Sequence, residues 1–83
     1  MTAKYVILRT KDGERAVILD GGQWFHNHAL EVEPDAEPVA AGFVSLQADG
    51  KLVCDGYSQG LGIASRGEDD VVVIARMLTS QGR

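Results

Sequence analysis

The first half of this chain carries two short apolar runs separated by a turn signal. Residues 5–8 (YVIL) and 16–19 (AVIL) flank residues 11–14 (KDGE). Asp-Gly is a strong hairpin signal because the tight turn requires a positive φ. Both runs are continuously apolar rather than alternating. We therefore predict a hairpin that stops at Gly21-Gly22 and whose strands are covered on both faces or nearly so.

A second hairpin is predicted further along the chain. Residues 42–47 (GFVSLQ) alternate between the two faces of a strand, Asp49-Gly50 supplies the turn, and residues 52–54 return. Cys54 fits this hairpin as a small core residue. Residues 31–37 (EVEPDAE), with Pro34 and Pro38 as breakers, predict a solvated acidic loop between the hairpins.

The C-terminal segment has the start signals of a helix. Ser65 followed by Glu68 is a capping box, two further acids continue into the first turn, and Gly82 is a plausible stop. Apolar residues then recur at helical spacing: Val71, Ile74, Ala75 and Leu78. The β-branched run 71–74 would also suit a buried strand, but a strand explains neither the cap nor the acids.

These elements predict an α+β fold. We expect a small, mostly antiparallel sheet of two β-hairpins with the C-terminal helix packed on one face, in one domain that spans residues 1–83. A chain of 83 residues buries a limited core, so self-association as a homodimer would be an inexpensive source of stability.

Composition excludes several classes of function. The net charge is −4 and the eight Lys and Arg residues are scattered, which argues against nucleic acid as a partner. The N-terminal apolar run is too short for a signal peptide or a membrane span. One cysteine permits no intrachain disulfide, so we expect a cytoplasmic protein with no membrane partner.

Two segments could carry chemistry. Residues 56–62 (GYSQGLG) follow a strand and precede the helix, so their amides and the Ser58 hydroxyl could hold an oxyanion. The spacing is not that of a P-loop or a dinucleotide fingerprint, and such a loop can also merely turn a corner. Arg66 either adds positive charge there or is solvated.

The other segment, residues 24–31 (WFHNHALE), carries both histidines. A histidine with a free face can act as general base or nucleophile near neutral pH. His26 and His28 with Glu31 could form a metal site, although their spacing is loose. The simpler alternative is that both are loop residues packed near Trp24.

Three pieces of the sequence, in this order, resemble the Janus/Ocnus family, to which the phosphohistidine phosphatases belong. Residues 4–9 (KYVILR) look like its first strand. Trp24, followed by His28-Ala29, resembles the segment that carries its catalytic histidine. Residues 49–64 (DGKLVCDGYSQGLGIA) resemble its strand and GYS loop.

The resemblance implies a phosphohistidine phosphatase, a hydrolase that needs no metal and no cofactor, or a degenerate relative that binds phosphorylated ligands without hydrolysing them. His28 would activate water or transiently take the phosphoryl group. Lys4 would contact the phosphate, and Ser58, Gln59 and Gly60 would bind it through the hydroxyl and backbone amides. The partner would be a phosphorylated protein or a small phosphoryl ligand.

This chain also departs from the family. Phe43 stands where the family has a phosphate-binding arginine, so a bidentate contact is lost. The segment after His28 is short and broken by prolines, and the family's closing strand is missing. The alternative to a phosphatase is therefore a non-catalytic α+β interaction module that self-associates through a sheet edge or a helix face.

Overall fold

The computed structural model describes residues 2–19 and 35–81, with the side chains of residues 79–81 left aside. Within these ranges the chain forms six strands and one helix. They are β1 (Thr2–Thr10), β2 (Gly13–Leu19), β3 (Glu37–Leu46), β4 (Leu52–Asp55), β5 (Tyr57–Ser58), β6 (Ile63–Ala64) and α1 (Glu68–Gln81).

The four longer strands form one antiparallel sheet in the order β2-β1-β3-β4. Strands β5 and β6 pair separately as a two-stranded antiparallel hairpin. The predicted α+β class, with two antiparallel hairpins and a C-terminal helix, is confirmed. The glycine segment, predicted as a loop, instead contains the small β5–β6 hairpin.

The sheet has apolar clusters on both faces. On one, which we call the helix face, Tyr5 and Ile7 pack with Val73 and Ile74 of α1. On the other, the second face, the buried residues are Val6, Leu8, Leu19 and Ala41. Residues 5–8 are all fully buried, which confirms that the first strand is covered on both faces. Strand β1 is therefore the centre of the fold.

The two turns form where Asp-Gly predicted them. Gly13 has a φ of 119° and Gly50 a φ of 87°, values that favour glycine. Thr10 strengthens the first turn, because its hydroxyl accepts the N–H of Asp12 and donates to the carbonyl of Gly13. Cys54 is buried in the helix-face cluster, as expected for a core residue.

Strand β3 begins earlier than the sequence predicted. It includes Glu37 and Pro38, which were assigned to the acidic loop and to a chain break. Pro38 is tolerated because the pairing of β3 with β1 shifts register between Ile7 and Leu8, next to the proline. Proline lacks an N–H and is accommodated in sheets mainly at edges and irregularities of this kind.

Residues 71–74 are helical, so the helix interpretation is confirmed and the strand alternative is wrong. The capping box, however, is wrong. The first helical acceptor is the Gly67 carbonyl, and the Ser65 hydroxyl accepts the N–H of Gly67 rather than that of Glu68. Among the described residues, no helix is long and apolar enough to cross a membrane. Gly82 lies outside the described residues.

A substitution at Gly42 tests the contact between β3 and the chain that leaves β4. A Cβ at this position would overlap the Asp55 carbonyl oxygen and crowd Ser65 Cβ. We expect Gly42→Ala to lower the free energy of unfolding by about 1–3 kcal/mol, measured by urea denaturation. Gly60→Ala is the control, since nothing lies within 4 Å of its Cβ position. Equal effects of the two substitutions would contradict this packing.

Candidate functional site

Four residues in register form a row across the sheet. Lys4 of β1 pairs with Leu19 of β2 on one side and with Phe43 of β3 on the other. Phe43 in turn pairs with Asp55, the last residue of β4. Directly paired residues of antiparallel strands share a face, so the Lys4, Phe43 and Asp55 side chains lie side by side on the second face.

Both segments that the sequence indicates as candidates for chemistry start from this row. The segment with the two histidines begins directly after Leu19, and the GYS segment begins directly after Asp55. His26, His28 and Glu31 themselves lie outside the described residues. The register shows that both segments begin directly after residues that lie in one row with Lys4.

The GYS segment is a compact hairpin. Ser58 is buried, and its hydroxyl accepts the N–H of Leu61 at 3.2 Å. Gln59 and Gly60 are exposed at the tip, with the Gln59 amide donating to the Tyr57 hydroxyl at 3.3 Å. In this structure the Ser58 hydroxyl stabilises the turn, and the exposed groups at the tip are the Gln59 side chain and the backbone of residues 59–60.

Phe43 fixes the start of this hairpin. A Cβ at Gly56 would lie 2.8 Å from the Phe43 ring carbon Cδ2, and Gly56 has a φ of 83°. Only glycine meets both conditions without strain. The ring therefore lies close to the backbone where β4 turns into the hairpin, and it is half-buried there.

A buried polar cluster holds the other end of the hairpin. Asp70 is fully buried, and its Oδ2 accepts the Tyr5 hydroxyl at 2.5 Å and the backbone N–H of Arg66 at 2.8 Å. The Tyr5 oxygen lies 2.6 Å from Ser65 Oγ. Because a phenol has one proton, donation to the carboxylate leaves the Ser65 hydroxyl free to donate to the phenol oxygen.

Arg66 extends this cluster to β2. Its Nε donates to Asp70 Oδ1 at 2.7 Å, and its two terminal nitrogens donate to the two Glu14 oxygens at 3.1 and 2.7 Å. Arg66 thus pairs with two carboxylates. The sequence led us to expect either a positive charge at the glycine loop or a solvated side chain, and neither expectation describes this arrangement. A bidentate pair of this kind fixes geometry as well as charge.

The cluster and the hairpin are connected through Ser65. Its backbone N–H donates to the Gly56 carbonyl at 2.9 Å and closes the hairpin at its base. Its side chain contacts Tyr5 and Asp70. In the described residues no buried side-chain nitrogen or oxygen lacks a partner, so the base of the GYS segment is held by a fully satisfied network.

Sequence reasoning missed the roles of Tyr5, Glu14 and Asp70. Tyr5 was assigned to the strand core, and the network depends on its hydroxyl as well as its ring. Asp70 was assigned to the acidic first turn of the helix. Two local signals were available: Asp70 stands four residues before Ile74 on the apolar stripe of the helix, and four residues after Arg66, with which it pairs.

The described residues contain no group of three or more His, Cys, Asp or Glu side chains arranged to hold a metal ion. The proposed ligand set of His26, His28 and Glu31 is outside them.

Comparisons with protein-family models, with curated proteins and with solved structures returned no match. The assignment of function therefore depends on the residues themselves.

Removing the Asp70 charge tests the network. We expect Asp70→Asn to lower the free energy of unfolding by about 2–3 kcal/mol, because Arg66 and Tyr5 lose a buried anionic acceptor. Asp69→Asn changes the same charge at an exposed neighbour and is expected to stay within about 0.5 kcal/mol. Urea denaturation measures both, and a neutral Asp70→Asn would contradict the role given to this carboxylate.

Stability should fall at both ends of the pH range. Hydrogen bonds from Arg66 lower the pKa of Glu14 below its usual 4.5, so its contribution is present above that pH and is lost as pH falls through the lowered value. Burial raises the pKa of Tyr5, which the Asp70 bond raises further, and burial raises the pKa of Cys54 to about 11. These two groups stabilise the fold below their unfolded pKa values, and their contribution is lost as pH rises through the folded ones.

The measurement is the urea midpoint at pH values from about 3 to 11, a range that includes the ordinary pKa values of Glu, Cys and Tyr side chains in the unfolded chain. The Tyr5→Phe variant should have a shallower alkaline decline than the wild-type protein, since one of the two alkaline titrations is gone. A decline of the same slope in both proteins would show that Tyr5 does not couple folding to proton release.

Proposed function

We propose that this chain binds phosphoryl groups carried on histidine and releases them by hydrolysis, with His28 as the catalytic residue. The observation that carries the proposal is the row of Leu19, Lys4, Phe43 and Asp55. Lys4, which we propose contacts the phosphate, lies in this row with the strand ends from which the histidine segment and the GYS segment leave the sheet.

The groups along this row suit a phosphoryl ligand. Lys4 is a cation on a half-buried strand position, where a phosphate oxygen is attracted more strongly than in bulk water. The tip of the GYS hairpin adds the Gln59 and Gly60 amides, which can donate to an oxyanion. Phosphoryl transfer requires mainly positioning and charge stabilisation, and both can be supplied without a bound metal.

The Ser58 role is narrower in this proposal than the family resemblance implies. Ser58 is buried and its hydroxyl accepts the Leu61 N–H, so the phosphate is bound chiefly through the exposed backbone of residues 59–60. Phe43 supplies no charge. We therefore expect weaker phosphate affinity than an arginine at this position would give.

The proposed reaction balances with water as the only co-reactant. The P–N bond of phosphohistidine breaks with its electron pair on the imidazole nitrogen, and the water oxygen forms a new bond to phosphorus. The ring is protonated at its far nitrogen when the bond breaks, so it leaves as neutral imidazole, and the proton of the attacking water goes to His28 and then to solvent. In the alternative order, His28 first takes the phosphoryl group and water then releases it.

Phosphate release from free phosphohistidine tests the proposal. Wild-type protein is compared with His28→Ala and with His26→Ala, a matched control two residues away. We expect turnover to fall at least 100-fold in His28→Ala, as general acid–base catalysis typically contributes about 10²–10⁴-fold, and to be kept in His26→Ala. Lys4→Met should raise KM because it removes the positive charge that binds the phosphate. Equal activity of the two histidine variants would contradict the assignment.

A second candidate function is a non-catalytic interaction module that self-associates. It is favoured by large apolar side chains that are exposed in the described residues near the β4 edge, namely Leu46, Val53 and Tyr57. In the same experiment, absence of turnover together with a dimer in sedimentation would favour this function over hydrolysis.

A further inference from the structure

Phe43 and Asp55 form a pair of side chains that the proposed reaction does not yet use. They are register partners on β3 and β4, so they project side by side from the second face. Phe43 is half-buried, with its ring held against Gly56, and Asp55 is exposed. An aromatic ring beside a carboxylate is the combination that recognises a flat organic cation.

The pair lies on one side of Lys4, the cation proposed to bind the phosphate. Lys4 is the register partner of Phe43 on β1, and neighbouring strands are about 4.8 Å apart. A ligand whose phosphoryl group is held by Lys4 thus places its next group over the Phe43 ring and within reach of Asp55. In phosphohistidine, the distance from the phosphorus atom to the far ring nitrogen is on the order of one strand spacing.

We propose that Phe43 and Asp55 form a subsite for the imidazolium ring of phosphohistidine, the leaving group of the reaction. This inference rests on the proposed function and names the part of the substrate that it selects. The Phe43 ring stacks on the imidazolium and the Asp55 carboxylate accepts its free N–H. The phenylalanine that replaces a phosphate-binding arginine therefore shifts recognition from the phosphate to the leaving group.

The subsite also favours cleavage of the P–N bond. A carboxylate at the far nitrogen stabilises the protonated ring. From a protonated ring the P–N electron pair returns to the nitrogen and yields neutral imidazole, so the leaving nitrogen needs no proton. Water supplies the oxygen that phosphorus gains, and its proton is taken by His28, as in the proposed reaction.

Two substrates separate leaving-group recognition from phosphate recognition. Phosphohistidine and phosphoramidate share a P–N bond, but only the first carries a ring. The values of kcat/KM are measured for wild type, Phe43→Leu, Phe43→Tyr and Asp55→Asn, with Asp69→Asn as a charge-matched control on α1, which packs on the opposite face of the sheet. Phe43→Met replaces Phe43→Leu if the leucine variant does not fold.

We expect Phe43→Leu and Asp55→Asn each to lower kcat/KM for phosphohistidine about two- to fivefold. Both variants should lose less kcat/KM on phosphoramidate than on phosphohistidine, and Asp69→Asn should match wild type on both substrates. Phe43→Tyr, which keeps an aromatic face, should lose less on phosphohistidine than Phe43→Leu does. Equal losses on both substrates, or no loss on either, would overturn the subsite and leave the proposed function standing. No turnover of either substrate by wild type would overturn both.

Discussion

The buried carboxylate of Asp70 is the interaction on which the rest of this structure depends. A charge that is fully removed from water must be paired and hydrogen-bonded. Asp70 meets this condition with the Tyr5 hydroxyl and with the backbone and side chain of Arg66. Through them it joins the start of α1 to the central strand β1, and through Glu14 to the edge strand β2. The position of the helix on the sheet is thereby specified by polar contacts as well as by apolar packing.

The same network determines where the GYS hairpin can lie. Ser65 closes the hairpin on Gly56 with its backbone and contacts Tyr5 with its side chain. Phe43 packs against the other side of Gly56. The exposed tip at Gln59 and Gly60 is therefore carried on a rigid base rather than on a free loop. Precise placement of this kind is what a phosphate site requires, because a small displacement of donors costs most of their effect.

The strands and the helix could be predicted because local signals agree with one another. Asp12-Gly13 and Asp49-Gly50 set the turns, and the spacing of residues 71–78 sets the helix. The start of β3 could not, because Pro38 reads as a break and is tolerated only by a register shift against β1. The buried network also escaped prediction. Arg66 and Asp70 are only four residues apart, but Tyr5 is 65 residues from Asp70 in the sequence, so no local pattern predicts that the phenol meets this carboxylate.

We propose that one row of residues across the sheet carries the phosphoryl site. Amide chemical shifts recorded during titration with inorganic phosphate, with chloride at equal ionic strength as control, test it most directly. We expect saturable shifts at Lys4, Phe43, Gln59 and Gly60, with α1 unaffected. Saturable shifts confined to α1 or to the turn at residues 11–13, or no saturable shifts at all, would contradict it.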